Sequence, residues 1–137
     1  MRFALAIVLA AFIAAPASAA DKRPWRIESV LNHQTGALTA LSPEASARTT
    51  LAVNMFGKMT IQTGCNTVFA RGVLNGKKLT FFGQPWTSKK ACTGEPRLIE
   101  TGVLKAISVA RVYDRVAKNR TVLRDAEGRE VLALARH

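Results

Sequence analysis

The chain has 137 residues, of which 48% are hydrophobic, and its 20 basic and nine acidic residues give a formal net charge of +11. This length fits one domain with a single core and excludes an architecture with two cores. The positive charge favours anionic partners. Because the basic residues are scattered along the chain, they are more typical of a solvated surface than of a nucleic-acid footprint, and no nucleic-acid partner is expected.

Residues 1–19 are predicted to be a signal peptide. A positive start at Arg2 precedes an apolar run over 3–15, and Ala17-Ser18-Ala19 supplies the small residues of a cleavage site. The run is about 13 residues long, whereas a membrane span needs about 20, so a retained anchor is the less favoured alternative. Cleavage after Ala19 or Ala20 predicts a periplasmic or secreted domain over 20–137, without a transmembrane segment after processing.

Alternating apolar and polar residues predict short strands over much of the chain. Met59 and Ile61 are expected to face inward, and 41–47 is expected to be irregular, with at most a short turn of helix. Asn75-Gly76 is the strongest hairpin signal and is typical of turns in which both residues need positive φ. The predicted strands of this half are 25–30, 50–55, 58–63, 66–74 and 79–82.

A helix is predicted after residue 93, with Thr93 as its cap and Pro96 in its first turn. Gly102 lies inside it, at a cost of about 1 kcal/mol. Further strands are predicted at 109–116, 121–124 and 131–135, with a turn at 125–128. The helix is expected to present one apolar face, formed by Leu98, Ile99, Val103, Ala106 and Ile107.

The order of these elements predicts an α+β fold. Short connections favour antiparallel pairing, so we expect a curled sheet or open β-barrel of about seven or eight short strands with one helix packed on it.

Cys65 and Cys92 are the two cysteines of the chain. In an exported protein they favour a disulfide, which is worth roughly 3–4 kcal/mol by its effect on chain entropy. A metal pair and a reactive free thiol are the alternatives. Two thiolates without histidine or carboxylate at ligand spacing make a poor zinc site, so no metal is expected.

The search for catalytic groups identifies no convincing set. His33 lies in a polar turn and His137 is the last residue, and neither has a partner nearby in sequence. Ser88-Lys89 has the spacing of a nucleophile–base dyad but occurs by chance in basic chains. The segment 72–78 resembles a phosphate loop less than it resembles a β-hairpin. We therefore expect no enzymatic activity and no cofactor.

Trp86 is the best candidate for contact with a ligand or partner. It follows Pro85 and precedes Lys89 and Lys90, and the segment 84–90 is predicted to be a loop. Most aromatic residues pack in the core, but an aromatic side chain in a basic loop could bind a partner, together with the two lysines.

The sequence resembles the META domain family, which includes the HslJ-like heat-shock proteins. The resemblance covers 25–135, and its centre is the Gly64-Cys65-Asn66 motif at the end of the segment 59–66. Ser88-Lys89-Lys90-Ala91-Cys92 is similar to the Thr-Arg-Met-Ala-Cys segment of the family, with Ser88 in place of threonine and Lys90 in place of an apolar residue. A late helix and a closing hairpin complete the resemblance to the family.

The resemblance implies a β-rich α+β domain in the cell envelope or outside the cell. It also implies associations with stress response and antibiotic tolerance, without an established enzymatic activity. The residues Gly64, Cys65 and Asn66 have a structural interpretation of their own, because glycine allows a turn, cysteine anchors it and asparagine bonds to nearby backbone.

Two functional hypotheses follow. The first is a non-catalytic, monomeric envelope protein that supports stress tolerance by binding another envelope component. The positive charge makes this partner anionic, such as lipopolysaccharide, a glycan or an acidic protein. The second is a small secreted inhibitor of a protease or other hydrolase that inserts the predicted loop 84–90 into its target.

Overall fold

The computed structural model describes residues 23–136. The predicted signal peptide, its cleavage site and His137 lie outside the described residues. Within this range, the chain forms nine strands and two helices. The strands are β1 (Arg26–Leu31), β2 (Leu38–Ala40), β3 (Thr50–Val53), β4 (Lys58–Gln62), β5 (Thr67–Asn75), β6 (Lys78–Thr87), β7 (Val112–Ala117), β8 (Arg120–Arg124) and β9 (Glu130–Ala135), and the helices are α1 (Pro43–Ala47) and α2 (Glu95–Val109).

All nine strands form one antiparallel sheet in the order β2-β1-β9-β8-β7-β6-β5-β4-β3. The sheet curls until Trp25 and Leu51 exchange two backbone hydrogen bonds of 2.9 and 2.7 Å, which bring the start of β1 against β3. This contact is an isolated bridge and does not continue as a ladder, so the sheet remains open. The predicted antiparallel, curled arrangement is confirmed.

Of the two short elements, β2 was not predicted, whereas α1 is the short turn of helix that the sequence allowed within 41–47. β2 has three residues and pairs only with β1 among the described strands, and so few residues cannot display an alternating pattern. It raises the number of strands to nine, above the seven or eight expected. The segment expected to be irregular contains α1, whose first turn is capped by the Ser42 hydroxyl accepting from the Ala45 N–H at 3.2 Å.

Helix α2 packs against β1, β6 and β9. Its predicted apolar face is confirmed, although Leu98 is only half-buried. A β-carbon on Gly102 would lie 2.7 Å from the carbonyl oxygen of Leu31 and 2.9 Å from the Cβ of Val30. The glycine is therefore required because helix and strand approach too closely for any side chain. The buried residues of the helix are Ile99, Gly102, Val103, Ala106 and Ile107.

The predicted cap of α2 is wrong. Gly94 occupies the cap position with a φ of 68°, and no side chain caps the first turn. Thr93 lies one residue too early for its hydroxyl to reach the N–H groups that a cap residue satisfies. Pro96 does lie in the first turn, as predicted.

The hairpin signal at Asn75-Gly76 is confirmed, but its expected geometry is wrong. Asn75 pairs with Lys78, so Gly76 and Lys77 are the two turn residues. Gly76 has a φ of 61°, whereas no described residue other than glycine has a positive φ, so only one of the two turn residues is in that conformation. Glycine at the first turn position is typical of type II′ turns.

Strand β6 continues well beyond its predicted end. Residues 84–87 were expected to be loop, yet Trp86 pairs with Phe69 and Thr87 pairs with Val68. The register shifts between Phe69 and Arg71, and Pro85 lies opposite this irregularity. Proline is tolerated at such a bulge because it need not donate to the ladder, and it concealed the strand in the sequence.

The core lies between the concave sheet and α2. Met59 and Ile61 face inward with 5% and 0% exposure, as predicted. The largest side chains that are fully buried are Ile27, Leu51, Ile61, Ile99, Leu123, Leu132 and Leu134.

Candidate functional site

Cys65 and Cys92 form a disulfide, as the sequence predicted. Cys65 lies in the turn between β4 and β5, and Cys92 lies in the segment 88–94 that connects β6 to α2. The preceding Gly64 has a φ of 96°, a backbone conformation that favours glycine. The disulfide therefore fastens the connector to the end of the sheet.

Asn66 forms a hydrogen-bonded junction directly beside the disulfide. Its side chain is 3% exposed. The side-chain carbonyl accepts from the Ser88 hydroxyl at 2.9 Å and from the Lys90 N–H at 3.0 Å. The amide nitrogen donates to the Lys90 carbonyl at 3.0 Å and lies 3.2 Å from the Cys92 Sγ. The predicted motif residues Asn66, Ser88 and Cys92 are thus brought together, while Ala91 is an exposed residue of the connector.

Glu100, on α2, completes this junction and was missed by the sequence analysis. Its carboxylate accepts from the Asn66 amide at 3.1 and 3.2 Å and from the Thr87 hydroxyl at 2.8 Å. A glutamate on the polar flank of an amphipathic helix looks like an ordinary surface residue, so no sequence signal identified it. Because the amide of Asn66 is fully engaged by protein groups, the arrangement supports the structural interpretation of the motif.

Trp86 lies on the convex face of the sheet rather than in a loop. It is 59% exposed, and its ring centroid is 5.3 Å from that of Phe69, with the planes tilted by 37°. Lys58 Nζ lies 4.9 Å from the Phe69 centroid, within cation–π range. We call Lys58, Phe69, Arg71, Phe82 and Trp86 the aromatic–basic surface; with Ala70 and Gln84 these residues line a shallow cleft of about 290 Å³.

Lys89 and Lys90 do not line this cleft. Both are exposed residues of the connector, and the backbone N–H and carbonyl of Lys90 each form a hydrogen bond with the side chain of Asn66. The basic residues that the structure places around Trp86 are Lys58 and Arg71. They are remote from Trp86 in sequence, which is why the sequence analysis selected the lysines that follow it.

A second cleft, of about 370 Å³, opens at one end of the curled sheet. It lies beside the turn between β3 and β4, where Met55 and Phe56 are 89% and 81% exposed. We call this the apolar cleft; it is lined by Val53, Asn54, Met55, Phe56, Gly57, Met59, Gly72, Val73, Leu74, Leu79 and Tyr113.

Three carboxylates have pKa values below their ordinary range. The backbone N–H of Ser42 lowers the pKa of Glu95, and the Ser42 hydroxyl adds to this effect. A hydrogen bond from Arg124 lowers the pKa of Asp114. Burial alone would raise the pKa of Asp125, but hydrogen bonds from the Arg129 backbone and guanidinium outweigh it. Glu95 thus joins the starts of the two helices, Asp114 joins β7 to β8, and Asp125 closes the turn before β9.

Within residues 23–136, no group of three or more histidine, cysteine or acidic residues is placed to hold a metal ion. His33 is exposed in a turn. Over the same part of the chain, no helix has the length and apolar character needed to cross a bilayer.

Comparisons with known proteins agree with this fold. The chain is similar in structure to a protein from Burkholderia xenovorans solved by NMR, with a TM-score of 0.62 and 20% identity over 85% of this chain and 83% of that one. It is also similar to a DUF4847 family protein from Bacteroides vulgatus, with a TM-score of 0.58 and 9% identity over 85% of this chain and 93% of that one. At these identities the likeness concerns the fold alone.

None of the curated proteins matches the chain. The sequence model of the META domain matches residues 18–137, which include the disulfide, the Asn66 junction and the aromatic–basic surface. The chain belongs to the META domain family.

Proposed function

We propose that this META-domain protein is an exported, non-catalytic binding protein that engages an anionic component of the cell envelope through its aromatic–basic surface, in support of envelope stress tolerance. The observation that carries the proposal is the arrangement of Phe69 and Trp86, which stack across neighbouring strands on the solvent side. Exposed aromatic residues of this size commonly mark contact surfaces, because burying them in a complex is favourable.

The positive charges on this surface favour a ligand with negative charge. Lys58 pairs with Arg71 across β4 and β5, so two positive side chains project beside the aromatic rings. The whole chain carries a formal charge of +11, and its field attracts anions from a distance. Flat apolar rings flanked by cations suit a ligand that combines sugar rings with acidic groups, and we therefore expect an acidic glycan to be bound.

The inhibitor hypothesis loses part of its support. It required residues 84–90 to be an insertable loop, but Gln84–Thr87 belong to β6 and the rest of the segment is fastened by the disulfide and Asn66. A strand in the middle of a sheet face cannot enter an active-site cleft as a protruding loop can.

The test is binding of fluorescein-labelled polygalacturonate, an acidic glycan, followed by fluorescence anisotropy. Trp86→Ala and Lys58→Gln should each weaken binding about 3-fold to 30-fold, in line with the loss of one aromatic or one charged contact. Rising salt should weaken binding of the unsubstituted protein, because screening reduces the attraction between exposed charges.

Matched controls separate the surface from the overall charge. Lys105→Gln removes an exposed lysine from α2 and Val116→Ala removes an exposed apolar side chain from β7, so both should leave binding unchanged. Equal affinities for Trp86→Ala and the unsubstituted protein would exclude the aromatic–basic surface as the site.

A further inference from the structure

The turn between β3 and β4 presents large apolar side chains to solvent. We call Asn54-Met55-Phe56-Gly57 the hairpin tip. Met55 is 89% exposed and Phe56 is 81% exposed, and the neighbouring Val53, Val73 and Leu74 are each about half-exposed. All five residues line the apolar cleft, and we call them the apolar patch. A patch of this kind on a small domain marks an interaction site.

The hairpin tip is held rigidly in this exposed position. The side-chain carbonyl of Asn54 accepts from the N–H groups of Phe56 at 3.0 Å and Lys58 at 2.9 Å. Gly72 donates its N–H to the Gly57 carbonyl at 2.9 Å, which fastens the tip to β5. These bonds prevent the tip from folding back over the patch.

The contact between the tip and β5 also depends on glycine. Gly57 has a φ of 78°, and a β-carbon on it would overlap the carbonyl oxygen of Gly72. The backbone of the tip therefore lies directly on β5, so Met55 and Phe56 project from a firm base. A rigid tip loses little conformational entropy when it docks.

Basic residues flank the patch. Lys78 is exposed and directly precedes Leu79, which lines the apolar cleft. Lys77, in the adjacent turn, is also exposed and forms an ion pair of 3.3 Å with Asp114. The charge around the patch is therefore positive overall. Exposed apolar side chains beside lysines match the chemistry of an anionic lipid surface, which offers acyl chains below its negative headgroups.

The geometry points to the hairpin tip as a membrane-docking element, with Met55 and Phe56 entering the acyl region of an anionic bilayer while Lys78 contacts its headgroups. The apolar cleft behind the tip then faces the lipid. This inference goes beyond the proposed function, because it assigns a lipid surface to a second site, and it rests on the proposed function for the location of the protein.

The test is co-sedimentation of the protein with vesicles of phosphatidylethanolamine and phosphatidylglycerol, compared with vesicles of phosphatidylcholine alone. We expect binding to the anionic vesicles only, and weaker binding as salt rises. The double variant Met55→Ser, Phe56→Ser should lower the partition coefficient at least about tenfold, because two large apolar side chains no longer enter the acyl region. Lys78→Gln should lower it about 3-fold to 5-fold, the effect of one basic residue near such a surface.

The matched control is Val116→Ser, Ala117→Ser, which changes two exposed apolar residues of β7 away from the tip and from the aromatic–basic surface and should leave partitioning unchanged. Circular dichroism and a thermal unfolding curve establish that each variant is folded. Equal partitioning of the tip variant and the control would overturn the inference. So would a dimer in sedimentation velocity that disappears in the tip variant, since a second copy would then cover the patch.

The two proposals fail separately. The tip variant should bind polygalacturonate normally, and Trp86→Ala should bind anionic vesicles normally. If the unsubstituted protein binds anionic vesicles but not polygalacturonate, the proposed ligand is contradicted and the inference about the hairpin tip stands. If it binds polygalacturonate but not the vesicles, only the inference about the hairpin tip is contradicted.

Discussion

The carboxylate of Glu100 on α2 lies 3.1 Å from the side-chain amide of Asn66, the last residue of the Gly-Cys-Asn motif. This contact joins the long helix to the end of β4 and the start of β5. Through the same amide, Asn66 also holds the backbone of Lys90. One buried side chain therefore connects sheet, connector and helix beside the disulfide.

Asn66→Ala should lower the free energy of unfolding by about 2–3 kcal/mol, because the Ser88 hydroxyl, the Lys90 backbone and the Glu100 carboxylate all lose a buried partner. Urea unfolding followed by circular dichroism measures the change. Asn119→Ala, at an exposed turn, is the control and should have no effect beyond about 0.5 kcal/mol. Equal midpoints for the two variants would show that the junction adds nothing to stability.

Gly102→Ala should destabilise the protein by about 1–3 kcal/mol, although alanine is normally the better helix residue by about 1 kcal/mol. The added β-carbon would lie 2.7 Å from the Leu31 carbonyl oxygen, so α2 must move away from β1. The thermal unfolding midpoint reports the effect. Ser108→Ala, at an exposed position of the same helix, should leave the midpoint unchanged or raise it. A higher midpoint for Gly102→Ala would contradict the close approach.

Reduction of the disulfide between Cys65 and Cys92 should cost roughly 3–4 kcal/mol of stability, as expected for a loop of this length. The double variant Cys65→Ala, Cys92→Ala should reproduce the loss and no longer respond to reductant. Intact mass of the protein purified from cells that express the full chain, with alkylation before and after reduction, should show no reactive thiol at first and a chain that begins at Ala20 or Asp21. Two thiols alkylated without reduction would exclude the disulfide in the cell.

Asp125 should make part of the stability dependent on pH in the acid range. Its pKa in the folded protein lies below the ordinary value of 3.8, because the hydrogen bonds from Arg129 outweigh the opposing effect of burial. A depressed pKa means that the folded state binds the proton less readily than the unfolded chain does. The contribution is therefore fully present above about pH 5 and is lost as the pH falls below 3.8 through the lower, folded pKa.

Asp125→Asn tests this assignment. The variant should be less stable at neutral pH, and the gap between its urea midpoint and that of the unsubstituted protein should narrow on acidification. Glu44→Gln, at an exposed position of α1, should instead follow the unsubstituted protein at every pH. A difference in urea midpoint between Asp125→Asn and the unsubstituted protein that stays constant down to pH 2 would contradict a stabilising contribution from the ionised Asp125 carboxylate.

Much of the fold could be predicted from local patterns. Alternation identified the long strands and placed Met59 and Ile61 inward, and a period near 3.6 residues identified the buried face of α2. These signals are readable because each repeats several times within one element, and the disulfide followed from having two cysteines in a chain that begins with a predicted signal peptide. The predictions of the cap of α2 and of the turn type at Gly76 were wrong, because both features depend on the backbone angles of only one or two residues.

The candidate sites, by contrast, were decided by tertiary structure. Glu100 meets Asn66, Lys58 meets Phe69, and Phe69 meets Trp86, only because an antiparallel sheet and a helix bring distant segments into register. Trp86 was selected from the sequence, but its partners were not, since pairing across strands leaves no mark at a fixed sequence spacing. Sequence by itself thus determined the longer elements and the faces that they bury, because the periodicity that marks them is a local property. Which exposed residues share a surface was decided by the curl of the sheet.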